Sequence, residues 1–261
     1  MKEFSIPEAG ASIRYQDLAG NALSKCAPIV FIHGLGCASS FDYPQVASMT
    51  GLRQHRAILI DLLGSGYSDK PKDFEYSIAS HACYLNKLIN HLGLNNFYLF
   101  GHSMGGSIAI ALAEKCQSKL QGLILAESNL DSGGGEFSTR IAALSEEEFL
   151  NKGYIQTCRS AKQGGNGNWA AGLEASSPLA VHRESVSLVK GQSPSWRETL
   201  YELNLAKTFI FGEHSLPDAD RAALADQGIH IEIVPNAGHS MAWDNPEGLA
   251  IAIQNGIRIT T

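Results

Sequence analysis

Six short apolar runs constrain this chain more than any other feature. They are "PIVFIHG" (28–34), "RAILID" (56–61), "NFYLFGHS" (96–103), "LQGLILAE" (120–127), "AKTFIFGE" (206–213) and "IHIEIVP" (229–235). Their length suits strands, and near-continuous apolar character suits strands buried on both faces of a parallel sheet. A seventh segment, "SIRYQD" (12–17), alternates polar and apolar residues and predicts a strand at a sheet edge. Helical stripes lie between several of these runs. Ile78, Ala82, Leu85, Ile89 and Leu92 share one face of 77–92, Ile108, Leu112 and Cys116 follow Ser103, and Leu249, Ile253 and Ile257 form a last stripe. Strands alternating with helices predict an α/β fold: a mostly parallel central sheet flanked by helices.

The alternation breaks between 128 and 205. "SGGGEFSTR", "SEEEF", "QGGNGNW" and "SPSWRE" read as helix-forming pieces separated by Gly-rich and Ser-rich joints. Phe149, Tyr154, Trp169 and Trp196 make this stretch too aromatic for a disordered linker. The expected division is a core of 1–127 and 206–261 carrying a helical insertion at 128–205, which a chain of 261 residues accommodates.

Bulk properties narrow the function classes. A net charge of −6 with no basic face argues against nucleic acid as a partner. Five cysteines, with no C-x-x-C pair, argue against a disulfide scaffold and a structural zinc site. "MKEFSIPEAG" has no apolar signal-peptide core, and no apolar run approaches the length of a membrane span. The expectation is a cytoplasmic protein without membrane attachment, monomeric or homodimeric, acting on a small molecule with neither metal nor organic cofactor.

Gly101-His102-Ser103-Met104-Gly105 is a G-x-S-x-G that follows an apolar strand and opens a helical stripe, the strand–turn–helix setting of an exposed nucleophile. Ser103 would stand at the carboxyl end of a strand, where open α/β sheets place their ligands. Serine needs a base, and the base needs an orienting acid. His239, in "NAGHSMAWDNPE" between the last apolar run and the last helical stripe, is the candidate base. "HGLGCASS" (33–40) supplies a loop after a strand, so the amides of Leu35 and Met104 are the candidate oxyanion donors. The same loop approaches a dinucleotide fingerprint as Gly34-x-Gly36-x-x-Ser39. The missing third glycine, and the distance to the next strand-end acid, Asp61, argue against that use. Cys37 reads as a small apolar filler.

Together "FIHGLG", "DLLGSGYSDKP" (61–71), "GHSMGG" and "NAGHSMAWDNPE" resemble, in order, the oxyanion loop, the D-x-x-G-x-G-x-S turn, the nucleophile elbow and the histidine loop of the α/β-hydrolase fold superfamily. The resemblance covers nearly the whole chain and implies that 128–205 is the helical cap that roofs the site. Relatives with Ser at the elbow include esterases, lipases, thioesterases, C–C bond hydrolases and cofactor-free haloperoxidases. Dehalogenases and epoxide hydrolases use Asp where this chain has Ser103. Most relatives carry the triad acid after the strand that follows the cap, where this chain reads Gly212-Glu213-His214-Ser215. Asp218 and Asp220 lie just beyond. A smaller set carries the acid after the strand that precedes the cap, which here is Glu127.

Three arguments favour Glu127. It directly follows an apolar strand, Asp218 and Asp220 look like first-turn acids of a helix beyond Leu216-Pro217, and Ser215 leaves a vacancy. The resemblance therefore implies a serine hydrolase cleaving a small ester-like substrate, carboxylesterase-like, through Ser103, His239 and Glu127. Phe137, Trp169 and Trp196 are the expected substrate contacts from the cap. The rival implication is a ligand sensor or signalling protein on the same fold, with little turnover.

Overall fold

Eight strands form one sheet in the computed structural model, which describes residues 1–20 and 26–259. They are β1 (Lys2–Ile6), β2 (Ala11–Leu18), β3 (Ile29–Ile32), β4 (Ala57–Asp61), β5 (Phe97–His102), β6 (Leu120–Ala126), β7 (Ala206–Gly212) and β8 (His230–Val234), in the order β1-β2-β4-β3-β5-β6-β7-β8. The two amino-terminal strands pair antiparallel, and β2 meets β4 antiparallel; every later pairing is parallel. "SIRYQD" is thus not at the edge. It lies in β2, and β1 covers its outer side, because "KEFSI" pairs residue for residue with Ala11–Tyr15. The charged residues of β1 hid its alternation.

The inner parallel strands are buried on both faces, with side chains alternating between two cores, whereas β8 at the edge is only partly buried, and Ile233 is exposed. Val30, Ile32, Ile58, Ile60, Leu99, Leu123 and Leu125 pack with the helices Ile78–His91 and Met104–Cys116. Ile29, Phe31, Leu59, Tyr98, Phe100, Ile124 and Ile210 pack with the helices Pro44–Ser48 and Pro246–Arg258. This period of two, apolar on both phases, is why the runs read as continuous. Ser77 caps the first of these helices by accepting from Ser80 N–H at 3.1 Å.

Between β6 and β7 the chain is helical, with Glu136–Ala142, Tyr154–Gln163, Gly167–Glu174, Pro178–Lys190 and Trp196–Glu202 as its longer pieces. Strand order reverses beside β3, so the loops leaving β3 and β5 part in opposite directions and open a crevice at their carboxyl ends. The D-x-x-G-x-G-x-S turn braces that end. Buried Asp61 accepts from Ser40 N–H (2.9 Å), Ser40 Oγ (2.7 Å) and Tyr67 N–H (3.0 Å), tying the loop after β3 to the turn after β4.

Candidate active site

Parallel register sets the site. His102 of β5 is level with Ala126 of β6, and Ala126 is level with Ile210 of β7. The next residues continue the ladder: Ser103 N–H donates to Ala126 O at 2.9 Å, and Glu127 N–H donates to Ile210 O at 3.0 Å. Ser103 and Glu127 therefore leave adjacent strand ends at the same height.

Both have left-handed backbones. Ser103 has φ 54° and ψ −123°, and Glu127 has φ 40°. Such conformations cost a non-glycine residue about 1–3 kcal/mol and persist only where the surroundings enforce them. At Ser103 the enforcement comes from two glycines. A Cβ on Gly101 would lie 2.5 Å from Gly105 O, and one on Gly105 would lie 2.4 Å from His33 O. The elbow can be this sharp only because neither has a side chain.

Glu127 is held on three sides. Oε1 accepts from Gly212 N–H at 2.9 Å, and Oε2 lies 2.7 Å from His239 Nδ1. Ser215, where the resemblance would place an Asp, lies on the same cavity wall and helps to hold this carboxyl low. Burial on its own would raise the Glu127 carboxyl, but hydrogen bonds from His239, Ser215 and Gly212 and the charge of His239 outweigh it and hold it at about 2. An ionised carboxylate only accepts, so a proton sits on His239 Nδ1, and in the neutral ring Nε2 is then the nitrogen left with a lone pair. His239 is also held through its main chain. Its carbonyl accepts from His102 Nε2 at 2.8 Å, and the two rings lie 4.7 Å apart. Burial pushes His102 down to about 3, so it stays neutral.

Ser103, Glu127 and His239 line one cavity of about 880 Å³, with Leu35, Phe137 and Trp169 also on its walls. Met104 opens its helix, and a helix leaves its first N–H groups without intrahelical acceptors. The loop carrying Leu35 turns through Gly36, whose φ is +64°, with Cys37 N–H donating to Gly34 O at 3.2 Å.

Four expected residues are not on this wall: Met104 is fully buried behind Ser103, and three others lie elsewhere. Trp196 is almost fully buried where its helix begins and is not on the cavity wall; its aromatic character reflects packing. Asp220 pairs with Arg197 at 2.8 Å, and Asp218 Oδ1 accepts from Asp220 N–H at 2.7 Å, the behaviour of first-turn acids. Neither lines the cavity.

Sequence reasoning left out three participants. Ser215 was a vacancy, not a donor. His102 is the unspecified residue of G-x-S-x-G, and its position beside the nucleophile was its signal. Asp42 lies on the cavity wall, where Oδ1 accepts from Trp243 Nε1 at 3.0 Å. Burial raises the Asp42 carboxyl to about 6 against the hydrogen bonds from Trp243 and Cys37. The Cys37 thiol is in turn pushed up by burial and by Asp42, which disfavours the thiolate. Among the described residues no cluster of three or more His, Cys, Asp or Glu side chains is arranged to hold a metal ion, and no helix is long and apolar enough to cross a membrane.

Comparison with known proteins agrees with this architecture. Residues 27–152 match the family described as alpha/beta hydrolase fold. Mesoderm-specific transcript protein of Mus musculus is 34% identical over 148 residues, which cover 56% of this chain and 44% of that protein. The chain thus spans less than half the length of such curated relatives. Among solved structures, a thermophilic esterase from Thermogutta terrifontis superposes with a TM-score of 0.79 at 21% identity, over 96% of this chain and 94% of that one. The N-acyl homoserine lactonase AidH superposes with a TM-score of 0.78 at 19% identity, over 100% and 97%.

Proposed function

Since the chain belongs to the α/β-hydrolase fold superfamily, we propose that it is a serine hydrolase that cleaves a small, uncharged ester-like substrate through an acyl-enzyme. The observation that carries this reading is the 2.7 Å contact between Glu127 Oε2 and His239 Nδ1 in the cavity that the strained Ser103 also lines. Ser103 Oγ attacks the carbonyl carbon while His239 Nε2 takes its proton. The carbonyl π electrons move onto oxygen, and the N–H groups of Leu35 and Met104 receive that charge. The intermediate collapses as His239 returns the proton to the leaving group. Water then repeats the sequence on the acyl-enzyme and releases the acid. Glu127 holds the imidazole tautomer and stabilises the imidazolium throughout.

The cavity walls bear on substrate class. Phe41, Phe137, Trp169 and Trp243 provide apolar area, and every Asp or Glu on the wall adds negative potential. Glu136 is offset by Arg140 at 2.7 Å, but the groups that hydrogen-bond the Asp42 carboxyl among the described residues, Trp243 and Cys37, are neutral. This supports an ester, thioester or lactone without a carboxylate near the scissile bond. The helices of 128–205 act as the cap, with Phe137 and Trp169 facing the substrate.

A chain-length series of p-nitrophenyl esters and acyl thioesters tests the reading. The wild type should turn over short esters, and Ser103→Ala should lose this to the level left by the oxyanion hole alone, about 10³–10⁴-fold over water. Tight binding of a small molecule with negligible turnover of the whole series would point instead to the sensor reading.

A further inference from the structure

The oxyanion turn is held by the insertion as well as by the sheet. Trp169 Nε1 donates to Leu35 O at 2.8 Å. The helix that carries Trp169, Gly167–Glu174, lies backbone against backbone on the turn: a Cβ on Gly172 would be 2.5 Å from Gly36 O. Leu173 fills the other side, because a Cβ on Gly36 would be 2.5 Å from Leu173 Cδ2. These contacts use different atoms and converge on Leu35-Gly36. A four-residue turn with positive φ at its third residue differs from its commoner relative by a flip of the central peptide. That peptide is Leu35–Gly36, and only one of its two orientations presents Leu35 O to the Trp169 N–H.

Building on the serine-hydrolase reading, we propose that Trp169 is a positioning residue: its indole N–H fixes the Leu35 carbonyl and with it the turn that Cys37 N–H closes on Gly34 O, the carbonyl of the peptide whose N–H is the Leu35 oxyanion donor. The cap helix thereby completes the oxyanion hole besides roofing the cavity. Trp169 does not touch the reacting atoms in this role. Its loss acts on the transition state, where charge resides on the carbonyl oxygen, and little on ground-state binding. A Trp that served only as an apolar wall, packed on Phe137 with ring centroids 4.4 Å apart, would instead affect binding.

The test uses Trp169→Phe, which keeps an aromatic ring and removes the N–H, and Gly172→Ala, which adds a methyl group against Gly36 O in a helix that alanine favours. Each is assayed on p-nitrophenyl acetate and with an arylboronic acid, whose tetrahedral adduct on Ser103 places an oxygen in the oxyanion hole. Both variants should lose kcat by about tenfold, short of the 10²–10³ that follows removal of an oxyanion donor itself. KM should move by less than about threefold, and the boronate inhibition constant should rise in step with the loss of kcat. Should Trp169→Phe fail to fold, Gly172→Ala decides alone. Unchanged kcat, or a loss confined to KM with boronate affinity intact, overturns the proposal. A wild type that neither hydrolyses the ester nor binds the boronate would instead sink the serine-hydrolase reading, and the proposal with it.

Discussion

At the scale of single residues, the site depends on how one carboxylate is held. Glu127 receives hydrogen bonds from His239 and Gly212, and Ser215 beside it helps to hold its carboxyl low. Glu127→Gln can still accept at one oxygen, but its amide N–H₂ can turn toward His239 and select the wrong tautomer. Its kcat should fall by about 10³–10⁴ with the fold intact. Asp218→Asn and Asp220→Asn should each cost less than about tenfold, since Asp220 serves Arg197 and Asp218 serves the helix start. Equal losses in all three would remove Glu127 from the mechanism.

Asp42 gives a prediction in pH. Its folded value is raised to about 6 from 3.8, so the folded state holds this proton more tightly than the unfolded chain does. Stability is therefore lost as pH rises from about 4 through 6, and the penalty stays in place above that window. Asp42→Asn keeps an acceptor for Trp243 and removes the titration. Its melting temperature should match the wild type near pH 4 and exceed it at pH 7–8, by on the order of 2 kcal/mol in stability. A difference that does not change with pH would contradict this. Ser103, His239 and Glu127 were legible because each sits in a local motif or at a strand end. Ser215, His102 and Asp42 were not, because their partners are brought to them only by the sheet and the loops after β3 and β8.

At the scale of elements, the strand–turn–helix around Ser103 trades stability for exposure of the proposed nucleophile. The backbone at φ 54° and ψ −123° suits glycine better than serine. Ser103→Gly should abolish turnover and raise stability by about 1 kcal/mol in thermal or denaturant unfolding; a less stable variant would mean that the elbow is not strained. The inner parallel strands were legible because both phases of each run are apolar, whereas edge strand β8 alternates His230 and Glu232 with Ile231 and Ile233. β1 escaped notice because three of its five residues are charged or polar, and Trp196 was misplaced because aromatic content alone does not tell which side of a helix faces a cavity.

For the molecule as a whole, the cavity's negative wall, Asp42 above all, should discriminate by charge. At pH 8, where Asp42 is ionised, kcat/KM for p-nitrophenyl hemisuccinate should fall at least about tenfold below that for p-nitrophenyl butyrate, and Asp42→Asn should narrow that gap. Equal rates on both esters would mean that the acyl group does not meet these carboxylates. The order of the four motifs made the architecture readable in advance, but the packing of the Gly167–Glu174 helix on the Gly34–Cys37 turn depends on contacts between segments more than 130 residues apart, as the Trp169–Leu35 bond shows.

The central claim is that Ser103 is the nucleophile of a working triad, and covalent labelling tests it most directly. Intact-mass analysis after treatment with a fluorophosphonate should show a single adduct on the wild type. Peptide mapping should place it on Ser103, and Ser103→Ala should show none. Labelling that persists in the Ser103→Ala variant, on Cys37 or any other side chain, would contradict the account.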